Sequence, residues 1–174
     1  MNYLGYIALI AVIYLTVFLT AWLTGLRSLL GVQVDLLPAL VVYCALSAGL
    51  APLSVVAILG GLWFDSLSAN PLGTSILPLF LIGFAMHRSR ELILREERYA
   101  QFLLGAGASA LAPIVALLLL FATGHKPLMG WGSVWQWLWM GLFGGTCTPL
   151  FFWLFERLNA AFNYQPLSEP SFRP

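Results

Sequence analysis

Charge is the scarcest ingredient of this chain. Only 9% of its 174 residues are Asp, Glu, Lys or Arg, against roughly 25% in soluble domains, while 60% are hydrophobic. That balance excludes a soluble globular protein and points to an integral membrane protein. No stretch outside the apolar runs is long enough to build a separate soluble core. The formal net charge of +1 offers no basic surface for nucleic acid. Cysteine is almost missing, and Cys44 and Cys147 both lie inside apolar runs, where they read as small buried side chains rather than as a disulfide or half of a metal site. Catalytic patterns are missing as well. There is no His-Glu-x-x-His, no Gly-x-Ser-x-Gly, no phosphate-cradling glycine loop and no Cys-x-x-Cys. A catalyst needs a nucleophile with a base, paired carboxylates or a metal cluster, so the chain is expected to be no enzyme and to hold no cofactor or metal. No internal repeat is evident. The first apolar run lacks a basic leader and an Ala-x-Ala cleavage site, so it is expected to remain as an anchor.

What the chain does contain is a series of apolar runs punctuated by turn chemistry. A bilayer core takes about 20 helical residues, and the runs predict an all-α membrane protein of six transmembrane helices in one domain, at about residues 3–24, 36–50, 52–67, 74–94, 101–123 and 133–157. Pro38 sits near the start of the second, where a helix tolerates it, and Ala51-Pro52 reads as the opening of the third. Residues 158–174 are expected to form a flexible tail.

The most informative stretch is Gly60 to Gly73. Asp65 ends an apolar run there, and Asn70-Pro71, Leu72 and Gly73 break the helix at once. This predicts a tight hairpin between two membrane helices with Asp65 near its mouth. An ionisable residue in that position is a functional candidate by default; capping of the turn at a water interface is the alternative. Asp35, at the start of the second helix, lies at the same end, so the two acids could meet.

Residues 87–98 carry Arg88, Arg90, Arg95 and Arg98, either a docking surface for a cytoplasmic partner or anionic lipid, or a solvated topogenic loop. Glu91 and Arg95 are spaced to pair on a helix face. The small residues Gly105, Ser109, Gly141 and Gly145 mark places of close helix approach, within the protein or with a partner span. Pro113 is expected to kink the fifth helix. Trp131, Trp135, Trp137 and Trp139 read as an interfacial belt. With six spans, Arg88, Arg90, Arg95, Arg98, Arg157 and Arg173 share one side and leave Arg27 and Lys126 on the other. The positive-inside rule then puts both termini in the cytoplasm.

These residues resemble a family. Gly60 or Gly61, Asp65, then Pro71-Leu72-Gly73 leading into an apolar helix and an Arg-rich loop look like the bacterial rod-shape-determining protein MreD family. Asp35 with Pro38, the length, and the closing Phe151-Phe152-Trp153-Leu154-Phe155-Glu156-Arg157 add to the resemblance. It implies a component of the cell-wall elongation machinery in the inner membrane, working beside the single-span protein MreC, the cytoskeletal MreB, RodA and a transpeptidase, and surrounded by membrane lipid. It also implies a fold like that of the substrate-binding subunits of energy-coupling-factor transporters, whose function is the alternative from another class.

Overall fold

The computed structural model describes residues 3–23, 35–68, 71–90, 97–122, 124 and 131–162. The loop around Arg27, Asn70, the Glu91–Arg95 pair, His125, Lys126 and residues 163–174 lie outside the described residues. All elements among the described residues are helical. They are α1 (Tyr3–Trp22), α2 (Leu37–Ala48), α3 (Leu50–Leu67), α4 (Ile76–Arg88), α5 (Arg98–Ala122) and α6 (Trp131–Phe162).

Several boundaries differ from the sequence expectation, each for a local reason. Asp35 accepts a hydrogen bond from the Leu37 N–H at 3.0 Å, and Pro38 follows in the first turn of α2, where its missing N–H has no helical partner to lose. The last turn of α2, Cys44–Ala48, widens to a π-helix, and the Gly49 N–H reaches the Cys44 carbonyl at 2.9 Å. Gly49 then takes φ 100°, a conformation that favours glycine. The turn between α2 and α3 is therefore made by Gly49, with Pro52 inside the first turn of α3 rather than opening it. A second π-turn, Val56–Gly60, lies within α3.

Helix α4 ends at Arg88, and residues 91–94 of the expected helix lie outside the described residues. The Ser89 N–H closes its last turn on the Ala85 and Met86 carbonyls. His87 Nδ1 lies 3.0 Å from the Ala45 carbonyl; since a carbonyl can only accept, the proton sits on Nδ1. That bond ties the end of α4 to the π-turn of α2. Arg98 stands in the first turn of α5 and not in a loop. Helix α6 continues to Phe162, so residues 158–162 are helical rather than the start of a flexible tail.

Four helical stretches are long and apolar enough to cross a membrane: Gly5–Trp22, Leu50–Leu67, Arg98–Ala122 and Val134–Leu158. Helices α2 and α4 are shorter, about 18–20 Å at 1.5 Å per residue against a hydrocarbon core of about 30 Å. The distribution of polarity matches a multi-pass membrane protein. Thr16, Thr20, Asp65, Gln101, Ser109 and Thr148 are buried, while Ile7, Tyr14, Phe18, Leu103, Leu118 and Leu150 are exposed. Two of the buried hydroxyls bond back along their own helices, Thr20 to the Thr16 carbonyl and Thr148 to the Gly144 carbonyl, both at 2.8 Å, as expected where no water can serve them.

One core cluster joins α1, α2, α3 and α4 around Leu9, Ile13, Leu37, Leu40, Leu53 and Leu79. Tyr43 stacks on Phe155 with ring centroids 4.3 Å apart and so carries the core across to α6. Helices α5 and α6 form the tightest pair. A side chain at Gly105 would strike Thr148 and the Gly144 carbonyl, one at Gly144 would strike Ser109, and one at Gly145 would meet the Phe102 ring at 2.9 Å. The small residues read from the sequence as possible partner contacts are thus engaged in this internal seam.

Candidate functional site

The site grows from the end of α3. Gly61 and Asp65 are one helical turn apart and therefore share a face. At Gly61 a Cβ would lie 2.9 Å from Ile76 Cγ1 and 3.0 Å from the Ile76 backbone nitrogen. Only the bare glycine lets the first turn of α4 come this close to α3. One turn on, the Asp65 carboxyl receives the incoming chain. Oδ2 accepts from the Gly73 N–H at 2.8 Å and the Ser75 N–H at 3.1 Å, and Oδ1 accepts from the Ser75 hydroxyl at 2.5 Å. Gly73 takes φ 94°, which turns its N–H and that of Ser75 toward the same oxygen. The Thr74 N–H closes the turn on the Pro71 carbonyl at 3.2 Å. Asp65 is only 1% exposed, so it is a buried clamp on the hairpin. The capping role offered by the sequence is present.

Beside this clamp lies a cavity of ≈ 210 Å³. It opens where the short helices α2 and α4 begin, below the ends of the longer α5 and α6. Asp35, Ser75 and Gln136 supply its polar groups; Phe64, Pro78, Leu79, Pro113, Leu117 and Met140 are among its walls. Ala116 of α5 also lines it and stands six residues before the helix end at Ala122, a depth of about 9 Å along the axis. The two acids thus come to one place: Asp35 on the cavity wall, Asp65 behind it and linked to it through Ser75.

Asp35 precedes the first residue of α2. Its carboxyl is pushed up to about 6, first by loss of water, against the lowering effect of the Leu37 N–H and with a further rise from the negative charge of Asp65. The folded protein therefore holds this proton more tightly than the unfolded chain. Stability should fall as pH rises from about 4 through about 6 and stay reduced above that. Asp35→Asn keeps an acceptor for the Leu37 N–H and removes the charge. It is expected to be more stable than the parent at pH 7.5, by at most about 3 kcal/mol at 1.36 kcal/mol per unit. The difference should vanish toward pH 4. Thermal unfolding in detergent across this range checks it, and a parent and variant with parallel pH profiles would refute it.

Apart from Gly73, the other residues singled out by sequence are not drawn into this site. Pro71 and Leu72 are exposed on the outer side of the turn, with Leu72 71% accessible, while Gly73 is half-buried under Asp65. Arg88, Arg90 and Arg98 are exposed at the opposite end of the helices, and Arg95 lies outside the described residues. Arg98 edges a groove of ≈ 570 Å³ with Gln101, Phe152, Trp153 and Glu156, and the Arg157 guanidinium lies 5.0 Å over the Trp153 ring. Gly105, Ser109, Gly141 and Gly145 belong to the α5–α6 seam. Trp135 and Trp139 pack edge to face at 5.8 Å, next to the cavity without lining it. Among the described residues no group of His, Cys, Asp and Glu is arranged to hold a metal.

Sequence reading missed Ser75, Gln136 and Gly83, and left Gly60 and Gly61 as alternatives. Ser75 and Gln136 carried a weak signal as lone polar groups within apolar surroundings. Gly83 sits against Leu53 and Val41, a contact with no local signature. No family model, no characterised protein and no solved structure matches the chain.

Proposed function

We propose that this chain is a non-enzymatic membrane component of the bacterial machinery that elongates the cell wall and maintains rod shape, of the MreD kind. It acts by binding an MreC-like single-span protein and, through it, MreB, RodA and a transpeptidase. In this reading the chain crosses the inner membrane six times with both termini in the cytoplasm, α2 and α4 crossing where the bilayer or flanking residues adapt to their length. The observation that supports it is the Asp65 clamp. Gly61, Asp65 and Gly73, three of the residues that carry the family resemblance, act in one construction. A chain built almost wholly of apolar helices must also meet its partners within the membrane, by packing and hydrogen bonds.

Two experiments test this. A phosphatase reporter fused after Asn70 should be active and one fused after Arg95 silent; the reverse pattern overturns the orientation. Purification in mild detergent, read by mass spectrometry, should recover an MreC-like protein. The cavity favours a second reading, the substrate-binding subunit of an energy-coupling-factor transporter. Recovery of an ATPase module and its membrane partner in place of an MreC-like protein would replace the first reading by the second.

A further inference from the structure

We propose that the cavity between α3, α4, α5 and α6, with Asp35 at its wall just before α2, is a binding site for a small organic cation, a protonated amine on a compact apolar body. Its polar groups come from three elements and all can present an oxygen acceptor. Asp35 uses Oδ1 for the Leu37 N–H, and no donor among the described residues bonds to its other oxygen. The Ser75 hydroxyl gives its proton to Asp65 and so turns lone pairs to the cavity. Gln136 lines the cavity with an amide whose oxygen can accept. An ammonium has three N–H donors and no acceptor, the complement of this set. An anion would face the charges of Asp35 and Asp65. The remaining wall, including Pro78, Leu79, Ala112, Pro113, Leu117 and Met140, suits a hydrocarbon body. The volume of ≈ 210 Å³ lies below the roughly 300–1,000 Å³ of drug-sized sites and limits that body to a few carbons.

The charge balance points the same way. Among the described residues the basic side chains Arg88, Arg90, Arg98 and Arg157 all stand at the far end of the helices, while the titratable groups facing the cavity are Asp35 and, behind Ser75, Asp65. Helices α4, α5 and α6 contribute no titratable side chain to its lining. A bound cation would offset the loss of water that raises the Asp35 carboxyl. Binding should therefore weaken as pH falls below about 6 and Asp35 takes up a proton. The site rests on the cavity and holds whether the chain is a scaffold or a transporter subunit.

The test uses the full chain in detergent, titrated calorimetrically with isopentylammonium and with isopentyl alcohol, its neutral counterpart. The amine should bind saturably at pH 7.5, at least tenfold more weakly at pH 5, and at least tenfold more weakly to Asp35→Asn. The alcohol should show no saturable binding. Should Asp35→Asn not purify as a folded protein, Ala116→Phe, which fills the cavity, is expected to abolish binding in the same way. Equal binding of amine and alcohol, or binding unchanged in these variants, overturns the proposal. So does a parent that binds no amine while Arg27→Gln or Lys126→Gln does, because the acceptors then serve a cation of the chain itself. Loss of the site with an MreC-like partner still recovered would leave the proposed function standing.

Discussion

Asp65→Ala is expected to lower the thermal unfolding temperature in detergent by roughly 10 °C or more, while Asp65→Asn is expected to lower it by only a few degrees. The geometry separates the two. Alanine removes the acceptor of the Gly73 N–H, the Ser75 N–H and the Ser75 hydroxyl together. Hydrogen bonds to a charged group contribute about 1.5–3 kcal/mol each, and a buried donor left without a partner costs about 1–3 kcal/mol. Even with water reaching part of the turn, a loss of about 3–5 kcal/mol follows. Each kcal/mol moves the midpoint of a domain this size by about 2–4 °C. Asparagine behaves differently because both backbone N–H groups bind the same oxygen, Oδ2. Its amide oxygen takes that place, and its NH₂ meets the Ser75 hydroxyl, which turns to accept. All three contacts survive in neutral form, at a cost of about 1–2 kcal/mol. Equal destabilisation by the two substitutions would show that the carboxylate charge, rather than the acceptor geometry, holds the hairpin. Partner recovery adds a second readout. A folded Asp65→Asn that no longer recovers an MreC-like protein would assign Asp65 a charged contact beyond its clamp.

Gly105→Leu should abolish recovery of folded protein, and Gly107→Leu, two residues away on the same helix, should be tolerated. A Cβ at Gly105 would strike the Thr148 side chain and the Gly144 carbonyl, whereas at Gly107 it would meet nothing within 4 Å. Backbone atoms cannot yield as a flexible side chain can, so α5 and α6 would have to part along their length. Overpacking a dense core costs about 1–3 kcal/mol in ordinary cases and more where the backbone is the obstacle. Association inside a bilayer rests on close packing, which the separated pair would forfeit. The smaller change Gly107→Ala should stabilise slightly, since alanine is about 1 kcal/mol better than glycine inside a helix. Gel filtration and thermal unfolding of the four variants Gly105→Ala, Gly105→Leu, Gly107→Ala and Gly107→Leu check the contrast. Gly141→Leu should be milder than Gly105→Leu, because the nearest atom there is the Ala106 carbonyl at 3.4 Å. If Gly105→Leu purified folded and lost only a partner, the seam would be an intermolecular surface and this packing assignment would fail.

Much of the architecture was decided along the chain itself. Long apolar runs with few charges make helices that suit a membrane, because every backbone N–H and C=O must be satisfied without water. Gly49, Pro71 and Gly73 break those helices by local backbone sterics, and such breaks need no knowledge of neighbours. The hairpin with Asp65 near its mouth was legible for the same reason: an acid, a turn and a new apolar run follow one another within a dozen residues. The burial of Asp65, the meeting of Asp35 with Ser75 and Gln136, and the cavity they edge were decided only by the tertiary structure. So was the engagement of Gly105, Ser109 and Gly145 in an internal seam rather than on a partner surface. A glycine shows in sequence that close approach is allowed, but what approaches it lies on another helix dozens of residues away. Helix length gave way to packing as well. Helix α4 closes at Arg88, one residue beyond the His87 bond that ties it to the α2 π-turn, since a short helix depends on the tertiary contacts that support it.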